Sequence, residues 1–176
     1  MDKNRKSKGK KAKTKRSFCA AAKHGERTLF ATTMPGLIRS LDDDLKMFIE
    51  NDVGAIVTLT ENMFLLPLPY RKTFKTLHLP IENLEPPTIK QVRKFVDFVD
   101  EEFTRGVNVV AHCLLGIGRT GTMIAAYRVS LGEAPDEAIS NLRAIRNFIE
   151  TPEQERMVYQ YQKQYHKNLM KHGKNK

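Results

Sequence analysis

The alternation of apolar and polar positions predicts strands and helices in turn along most of the chain. Residues 28–40 have the pattern of a short edge strand followed by a turn. Residues 41–51 have the pattern of a helix, and its aspartates (Asp42–Asp44) lie in the first turn, where the helix dipole favours negative charge. We interpret these acids as helix-start charges and not as a metal site. The apolar runs at 54–61 and 74–80 predict two buried strands.

A longer amphipathic segment comes next. Apolar residues recur from Ile89 to Phe103 at the i, i+3, i+4 spacing of one helix face. Thr88 and Gln91 have the spacing of a capping box, and Gly106 is placed to end the helix. The sequence therefore predicts a helix that begins and ends at identifiable signals.

The remaining segments predict how the strands are connected. The run VNVVAHC (107–113) is typical of a buried strand, and a strand, a long crossover helix and a strand imply a parallel pair. Three more helices are predicted after Arg119, from Pro135 and from Thr151, with Thr151 as the N-cap and Pro152 at the first helical position. We predict an α/β fold with a central, mostly parallel sheet flanked by helices.

Length and composition favour one domain. The chain has 176 residues and 40% hydrophobic content, without a run approaching eighteen apolar residues or a secretory signal, so we expect no membrane span. Two cysteines, Cys19 and Cys113, are too few for a disulfide scaffold and indicate a reducing intracellular compartment. A redox pair between them is left open. We expect a monomer.

The charge of +10 is concentrated at the two ends. Residues 1–16 carry nine Lys or Arg and one Asp, a net +8, and residues 163–176 carry five Lys and no acid, which leaves −3 for residues 17–162. We therefore predict a disordered basic leader over residues 1–28, a domain over 29–166 and a basic tail over 167–176. The leader suits nuclear import, RNA or another polyanion, or solubility alone, and the expected localisation is cytoplasmic, nuclear or both.

The candidate chemistry lies in the loop from Cys113 to Arg119, which joins a predicted strand to a predicted helix. Ligands of parallel sheets bind at this edge, and Gly116 and Gly118 let successive backbone N–H groups turn inward to bind an anion. These dipoles and a guanidinium favour the thiolate form of Cys113. Arg119 offers a planar fork to two phosphate oxygens, and Thr120 a hydroxyl to the departing sulfur.

This combination predicts phosphoryl transfer through a cysteinyl-phosphate without a metal or other cofactor. The loop lacks the Gly-Lys-Ser/Thr ending of a P-loop NTPase. Zinc is not expected, because His112 and Cys113 are adjacent and a second ligand pair is missing from the sequence.

At these residues the sequence resembles the cysteine-dependent protein tyrosine phosphatase superfamily, whose signature is Cys-x5-Arg-Ser/Thr. HCLLGIGRTGTM, with FIETPEQE downstream and PIENLEPPT upstream, is most similar to the small atypical dual-specificity phosphatases, the VHZ type in particular. The likeness spans roughly residues 30–165. It implies a phosphatase domain in which Cys113 is the nucleophile, Arg119 the clamp and Thr120 the stabiliser of the leaving thiolate. The implied substrate-binding loop is Leu114, Leu115, Gly116, Ile117, Gly118 and Arg119.

The sequence departs from this family at the general acid. The aspartate expected three residues before the Pro-Pro pair is Asn83, whose amide is a poor proton donor. Glu82 or Glu85 is a candidate replacement, and of the two we predict Glu82 as the acid. Because a phenolate leaves more readily than an alkoxide, a weak acid favours aryl phosphates or phosphoanhydrides.

We predict hydrolysis of phosphotyrosine in proteins, with phosphoserine and phosphothreonine left open. One alternative is an RNA 5′-polyphosphate phosphatase, which the basic leader would suit but the net acidic remainder would not. Another is a pseudo-enzyme that binds phosphotyrosine, which would explain Asn83 but not Cys113 and Thr120. A phosphoinositide substrate is disfavoured, since the loop contains no lysine.

The prediction gives supporting roles to His112 and Asn83 and a catalytic role to Gln154. His112 is expected to hydrogen-bond the loop and steady the thiolate, without acting as a base. Gln154 has two interpretations that remain open: it positions the water that hydrolyses the cysteinyl-phosphate, as the resemblance implies, or it forms a capping box with Thr151.

Overall fold

The computed structural model describes the backbone of residues 17–172 and the side chains of residues 17–165. The strands are β1 (Phe18–His24), β2 (Arg27–Thr32), β3 (Val53–Thr58), β4 (Lys75–His78) and β5 (Asn108–His112). The helices are α1 (Leu41–Glu50), α2 (Ile89–Thr104), α3 (Gly118–Ser130), α4 (Pro135–Ile145) and α5 (Pro152–His172). None of these helices is both apolar enough and long enough to cross a bilayer.

The strands form one sheet in the order β1-β2-β5-β3-β4, in which only the β1–β2 pair is antiparallel. Alternate residues of β5 serve opposite faces: Val109 and Ala111 pack against one core, and Val110 packs against the other. The first core includes apolar residues of α2, α3, α4 and α5, and the second includes Leu45 and Phe48 of α1. The predicted α/β fold with a mostly parallel sheet between helices is confirmed.

Local sequence signals set the ends of α2 as predicted. Thr88 and Gln91 form the reciprocal capping box, with the Thr88 hydroxyl accepting from the Gln91 N–H. After the helix, Gly106 has a φ of +83°, a conformation that glycine adopts without steric cost. Thr151 likewise caps α5, because its hydroxyl accepts a hydrogen bond from the Gln154 N–H at 3.2 Å.

Three predictions about the ends of the domain are wrong. The predicted edge strand, β2, lies inside the sheet, because β1 covers it. Residues 18–28, assigned to a disordered leader, form β1, the turn after it and the first two residues of β2, so the described fold begins before residue 29. The backbone of α5 continues to His172, beyond the predicted boundary at 166. The rest of the predicted leader, residues 1–16, and residues 173–176 lie outside the described residues.

The topology gives the sheet one functional edge. Because β2, β3, β4 and β5 are parallel, their carboxyl ends (Thr32, Thr58, His78 and His112) lie along the same side of the sheet. The loop after β5 connects this edge to the start of α3. The candidate nucleophile is therefore placed at the position where open α/β sheets bind ligands.

Candidate active site

The loop between β5 and α3 adopts a shape that two of its glycines permit. Gly116 has a φ of +67°, and a Cβ built there would overlap the Thr32 carbonyl group. A Cβ built on Gly118 would overlap the Glu150 carboxylate. The backbone overlap excludes a side chain at Gly116, as the sequence pattern predicted, whereas at Gly118 only the mobile end of a side chain stands in the way and φ is not positive.

The loop carbonyl groups are bonded to donors around the loop. The Leu114 oxygen accepts from the Met34 N–H at 2.9 Å, and the Leu115 oxygen accepts from the Arg146 guanidinium at 2.8 Å. With these oxygens directed to neighbouring segments, the loop can turn its N–H groups inward towards an anion. One of them, the Gly116 N–H, donates to the Cys113 sulfur at 3.2 Å.

Cys113 and Thr120 are both buried at the base of this loop. Cys113 is 3% exposed, which limits access to its sulfur to a ligand in the loop. Of the buried side-chain oxygen and nitrogen atoms in the described part of the chain, one lacks a hydrogen-bond partner: Thr120 Oγ1. A buried hydroxyl without a partner is costly, so such a group calls for an explanation by function. A hydrogen bond from this hydroxyl to the departing Cys113 thiolate, as predicted, would give Thr120 Oγ1 the partner that it lacks.

The Arg119 guanidinium is held from one side by three acceptors. Its Nη1 donates to Glu61 Oε2 and to the Ile81 carbonyl oxygen, both at 2.8 Å, and its Nη2 donates to Asn83 Oδ1 at 3.0 Å. A guanidinium has five N–H donors, so these bonds leave Nε–H and one Nη2–H. These two lie side by side and form a fork that matches two phosphate oxygens. Arg119 itself is 3% exposed, so its orientation is fixed before a ligand arrives.

Glu61 is the anchoring residue that the sequence prediction missed. Its carboxylate bonds Arg119 and also accepts the Asn83 N–H at 2.8 Å. Hydrogen bonds from its own backbone N–H and from the Arg119 guanidinium lower the pKa of Glu61. The available signal was its position: Glu61 follows β3 at the same edge of the sheet as Cys113.

Asn83 lies in the site, whereas the Glu82 side chain has no described bond to it. Asn83 contacts both Arg119 and Glu61, which gives the amide a supporting position in place of an acid. Glu82 is exposed, and its carbonyl oxygen accepts from the Glu85 N–H at 3.1 Å in a turn. The role of Glu82 as the general acid stays a prediction.

His112 lies behind the nucleophile and is fully buried. Its Nδ1 is 3.1 Å from the Cys113 carbonyl oxygen, which can only accept, so this nitrogen carries the proton. Its Nε2 then accepts from the Thr58 hydroxyl at 3.0 Å. Burial lowers the pKa of His112 to about 4, so the ring is neutral near pH 7. The ring bonds the start of the loop at the Cys113 carbonyl oxygen.

Gln154 is fully buried beside Gly118. Its Oε1 accepts from the Glu150 N–H at 2.9 Å, and its Nε2 donates to the Glu85 carbonyl oxygen at 3.3 Å. The side chain therefore joins two loops and does not bond the Thr151 N–H as a complete capping box would. Its place against the phosphate loop suits the predicted water-positioning role, which stays a prediction.

The described residues contain no cluster of three or more His, Cys, Asp or Glu side chains arranged to hold a metal ion. Both cysteines of the sequence are free thiols, and Cys19 lies on β1, where it pairs with Ala31 of β2.

Comparisons with known proteins match this geometry. Residues 31–133 match the model of a family described as "Polymorphic toxin system, DSP-PTPase phosphatase". The chain is 26% identical over 125 residues to the tyrosine-protein phosphatase CDC14 of Candida albicans, covering 70% of this chain and 23% of that protein. It is 36% identical over 102 residues to a tyrosine-protein phosphatase of Autographa californica nuclear polyhedrosis virus, covering 53% of this chain and 59% of that protein.

The fold also superposes on solved structures. The crystal structure of Tk-PTP in the active form is 26% identical, with a TM-score of 0.68, and the match covers 81% of this chain and 97% of that one. The chain thus spans about a quarter of the Candida protein but nearly all of this smaller phosphatase.

Proposed function

Because the chain belongs to the DSP-PTPase phosphatase family, we propose that it removes phosphate from phosphotyrosine in proteins through a cysteinyl-phosphate intermediate. The resemblance to the cysteine-dependent protein tyrosine phosphatase superfamily, as a small atypical dual-specificity enzyme, is confirmed by this family match and by the tyrosine phosphatase relatives. The proposal extends to phosphoserine and phosphothreonine as slower substrates.

One observation carries the proposal: two neighbouring N–H donors of Arg119 remain for a ligand beside a sulfur that already accepts a loop N–H. A tetrahedral phosphate has oxygens for the Arg119 fork and for the loop amides. Its phosphorus would then face Cys113 Sγ. This is the arrangement required for nucleophilic attack on a phosphate monoester.

In the first step, the Cys113 sulfur forms a bond to phosphorus as the bond to the tyrosine oxygen breaks. The leaving oxygen takes a proton from the general acid, for which Glu82 is the candidate predicted from sequence, and departs as tyrosine. In the second step, water gives a proton to the same group and attacks phosphorus, the S–P bond breaks, and phosphate and the thiolate are released. The Thr120 hydroxyl stabilises that thiolate, and Gln154 orients the water.

The site favours this function over the two alternatives. A binding module without turnover needs the loop amides and Arg119, but it has no use for the unpartnered Thr120 hydroxyl at the base of the loop. An RNA 5′-polyphosphate would need cations for its second and third phosphates. The exposed loop side chains are Leu114 and Leu115, 42% and 49% exposed, and the site carboxylate Glu61 would repel further phosphates.

The first experiment uses p-nitrophenyl phosphate with EDTA present. We expect turnover by the full chain and its loss in Cys113→Ser, with a phosphorylated cysteine trapped by acid quench and detected by mass spectrometry. Cys19→Ser is the matched control and should keep its rate, since Cys19 lies on β1 outside the site. Activity that persists in Cys113→Ser would overturn the nucleophile assignment.

A second experiment compares three substrates at equal concentration: a phosphotyrosine peptide, a phosphothreonine peptide and 5′-triphosphate RNA. We expect the phosphotyrosine peptide to have the highest kcat/KM, because the phenolate is the better leaving group of the two monoesters. Faster release of phosphate from the RNA would replace this proposal with the RNA alternative.

A further inference from the structure

An apolar groove lies directly beside the phosphate loop. Five apolar side chains define this groove: Met34, Met63, Phe64, Leu65 and Leu114. The space between them and their polar neighbours has a volume of about 590 Å³. Arg119 and Asn83 also line this space, so the groove is continuous with the phosphate site.

Both walls of the apolar groove are connected to the catalytic loop. On one wall, the Met34 N–H donates to the Leu114 carbonyl oxygen at 2.9 Å. On the other, the Phe64 ring packs edge-on against His112, with ring centroids 5.5 Å apart and an interplanar angle of 88°. The groove therefore has a fixed position relative to Cys113, as a subsite for one end of the same ligand requires.

The groove presents apolar side chains to solvent to an unusual degree. Leu65 is 71% exposed, Met63 is 50% exposed and Leu114 is 42% exposed. Contiguous exposed apolar surface of this kind marks binding sites, since covering it releases water. The two methionines add adaptability to side chains of different shape.

We propose that the apolar groove binds an apolar side chain of the substrate protein next to the phosphorylated residue. This inference rests on the proposed function and names the sequence context that the enzyme selects. Consecutive Cα atoms of the substrate lie only 3.8 Å apart, so the residues that flank the phosphotyrosine are the ones held nearest to this surface while the phosphate occupies the loop. The one cation in the lining, Arg119, is paired with Glu61, so a second phosphate group has no free partner there.

The experiment measures kcat/KM of the full chain for phosphotyrosine peptides that differ by one Leu or Ser at each position flanking the phosphotyrosine. We expect at least one position at which Leu exceeds Ser by fivefold or more, mostly through KM, because the contact is made in the bound peptide as well as in the transition state. In Leu65→Ser this Leu-to-Ser ratio should fall towards one.

Leu68→Ser is the matched control. Leu68 is 75% exposed, three residues away and not part of the groove lining, so the ratio should be unchanged. Thermal melting of both variants establishes that each is folded. Equal ratios for Leu and Ser at every position, or the same loss in both variants, would overturn the inference.

Two other occupants give distinct results. A dioctanoyl lipid phosphate whose hydrolysis depends on Leu65, with no peptide preference, would assign the groove to an acyl chain. Dimerisation of the full chain that is lost in Leu65→Ser, measured by sedimentation, would assign it to a second copy. Either result contradicts the inference, whereas a full chain that leaves p-nitrophenyl phosphate intact contradicts the proposed function itself.

Discussion

At the scale of single residues, Arg119 divides its N–H donors between protein and ligand. Its bonds to Glu61, Ile81 and Asn83 come from two segments that are distant in sequence, and they fix the guanidinium plane. Because the side chain is already oriented, little rotamer freedom is lost when phosphate binds. The amide at position 83 is part of this fixation, which gives a physical reason for Asn where an acid was expected.

With an amide at position 83, another group has to supply the proton for the leaving oxygen, and the carboxyl groups near the loop are the candidates. Glu61 is unsuitable, since hydrogen bonds lower its pKa and keep it ionised. The Glu150 carboxylate lies against Gly118 at the phosphate loop, whereas Glu82 has no described side-chain bond there. We therefore expect Glu150→Gln to slow alkyl phosphates more than aryl phosphates, within the range of about 10²- to 10⁴-fold that general acids contribute.

The measurement is kcat for a series of phosphate esters of increasing leaving-group pKa, with Glu82→Gln as the companion variant. A steeper dependence in Glu82→Gln would return the role to the residue predicted from sequence. Losses that are equal for all esters in both variants would mean that neither residue donates the proton.

The buried imidazole of His112 predicts a loss of stability at mildly acidic pH. Its pKa is about 4 in the fold and 6.5 in an unfolded chain, so the unfolded state takes up the extra proton between these values. The stabilisation is fully present above pH 6.5 and is lost as the pH falls towards 4, to a total of about 3 kcal/mol. Urea unfolding at pH 7 and pH 4.5, with an NMR titration of the imidazole, measures both quantities. A His112 ring that titrates near 6.5 in the folded protein would contradict this expectation.

At the scale of elements, the phosphate loop depends on the backbone of Gly116. Gly116→Ala would combine a positive φ with overlap of the Thr32 carbonyl group, and backbone atoms cannot move aside cheaply. We expect a lower melting temperature and a loss of at least about 10²-fold in kcat, comparable to losing an oxyanion donor. Gly25→Ala is the control: φ is +58° there, but no atom lies within 4 Å, so about 1 kcal/mol of stability and no activity should be lost. Equal activity in both variants would show that the loop tolerates the change.

The comparison with sequence-based prediction is also instructive at this scale. The capping signals of α2 and α5 and the glycine pattern before α3 act over a few residues, so the sequence predicts these elements. The small side chains of β1 and its bulge between Ala20 and Ala22 weaken the two-residue period, and β1 was missed. Glu61 was missed for a different reason: its bond to Arg119 joins positions 58 residues apart, which no local pattern reports.

At the scale of the whole molecule, the predicted charge distribution places the catalytic residues and the excess of positive charge in different parts of the chain. The phosphate loop and its supports lie within the described fold, whereas nine of the cationic side chains belong to residues 1–16. We expect that replacing all nine with Gln leaves kcat/KM for p-nitrophenyl phosphate within twofold of the original. Replacing Lys167, Lys171, Lys174 and Lys176 with Gln is the control for net charge alone. A collapse of the small-substrate rate in the first variant only would place the leader in the active site.

The antiparallel direction of β1 determines the point at which the basic segment of residues 1–16 joins the fold. Phe18 pairs with Thr32, so the strand starts at the catalytic edge, and Arg146 bonds both the Ser17 and the Leu115 carbonyl oxygens. Sixteen residues can reach no further than about 55 Å from Ser17, whatever their conformation. We expect their cations, tethered within this distance of Ser17, to raise the local concentration of acidic ligands near the site. That effect acts on encounter rates and fades with ionic strength.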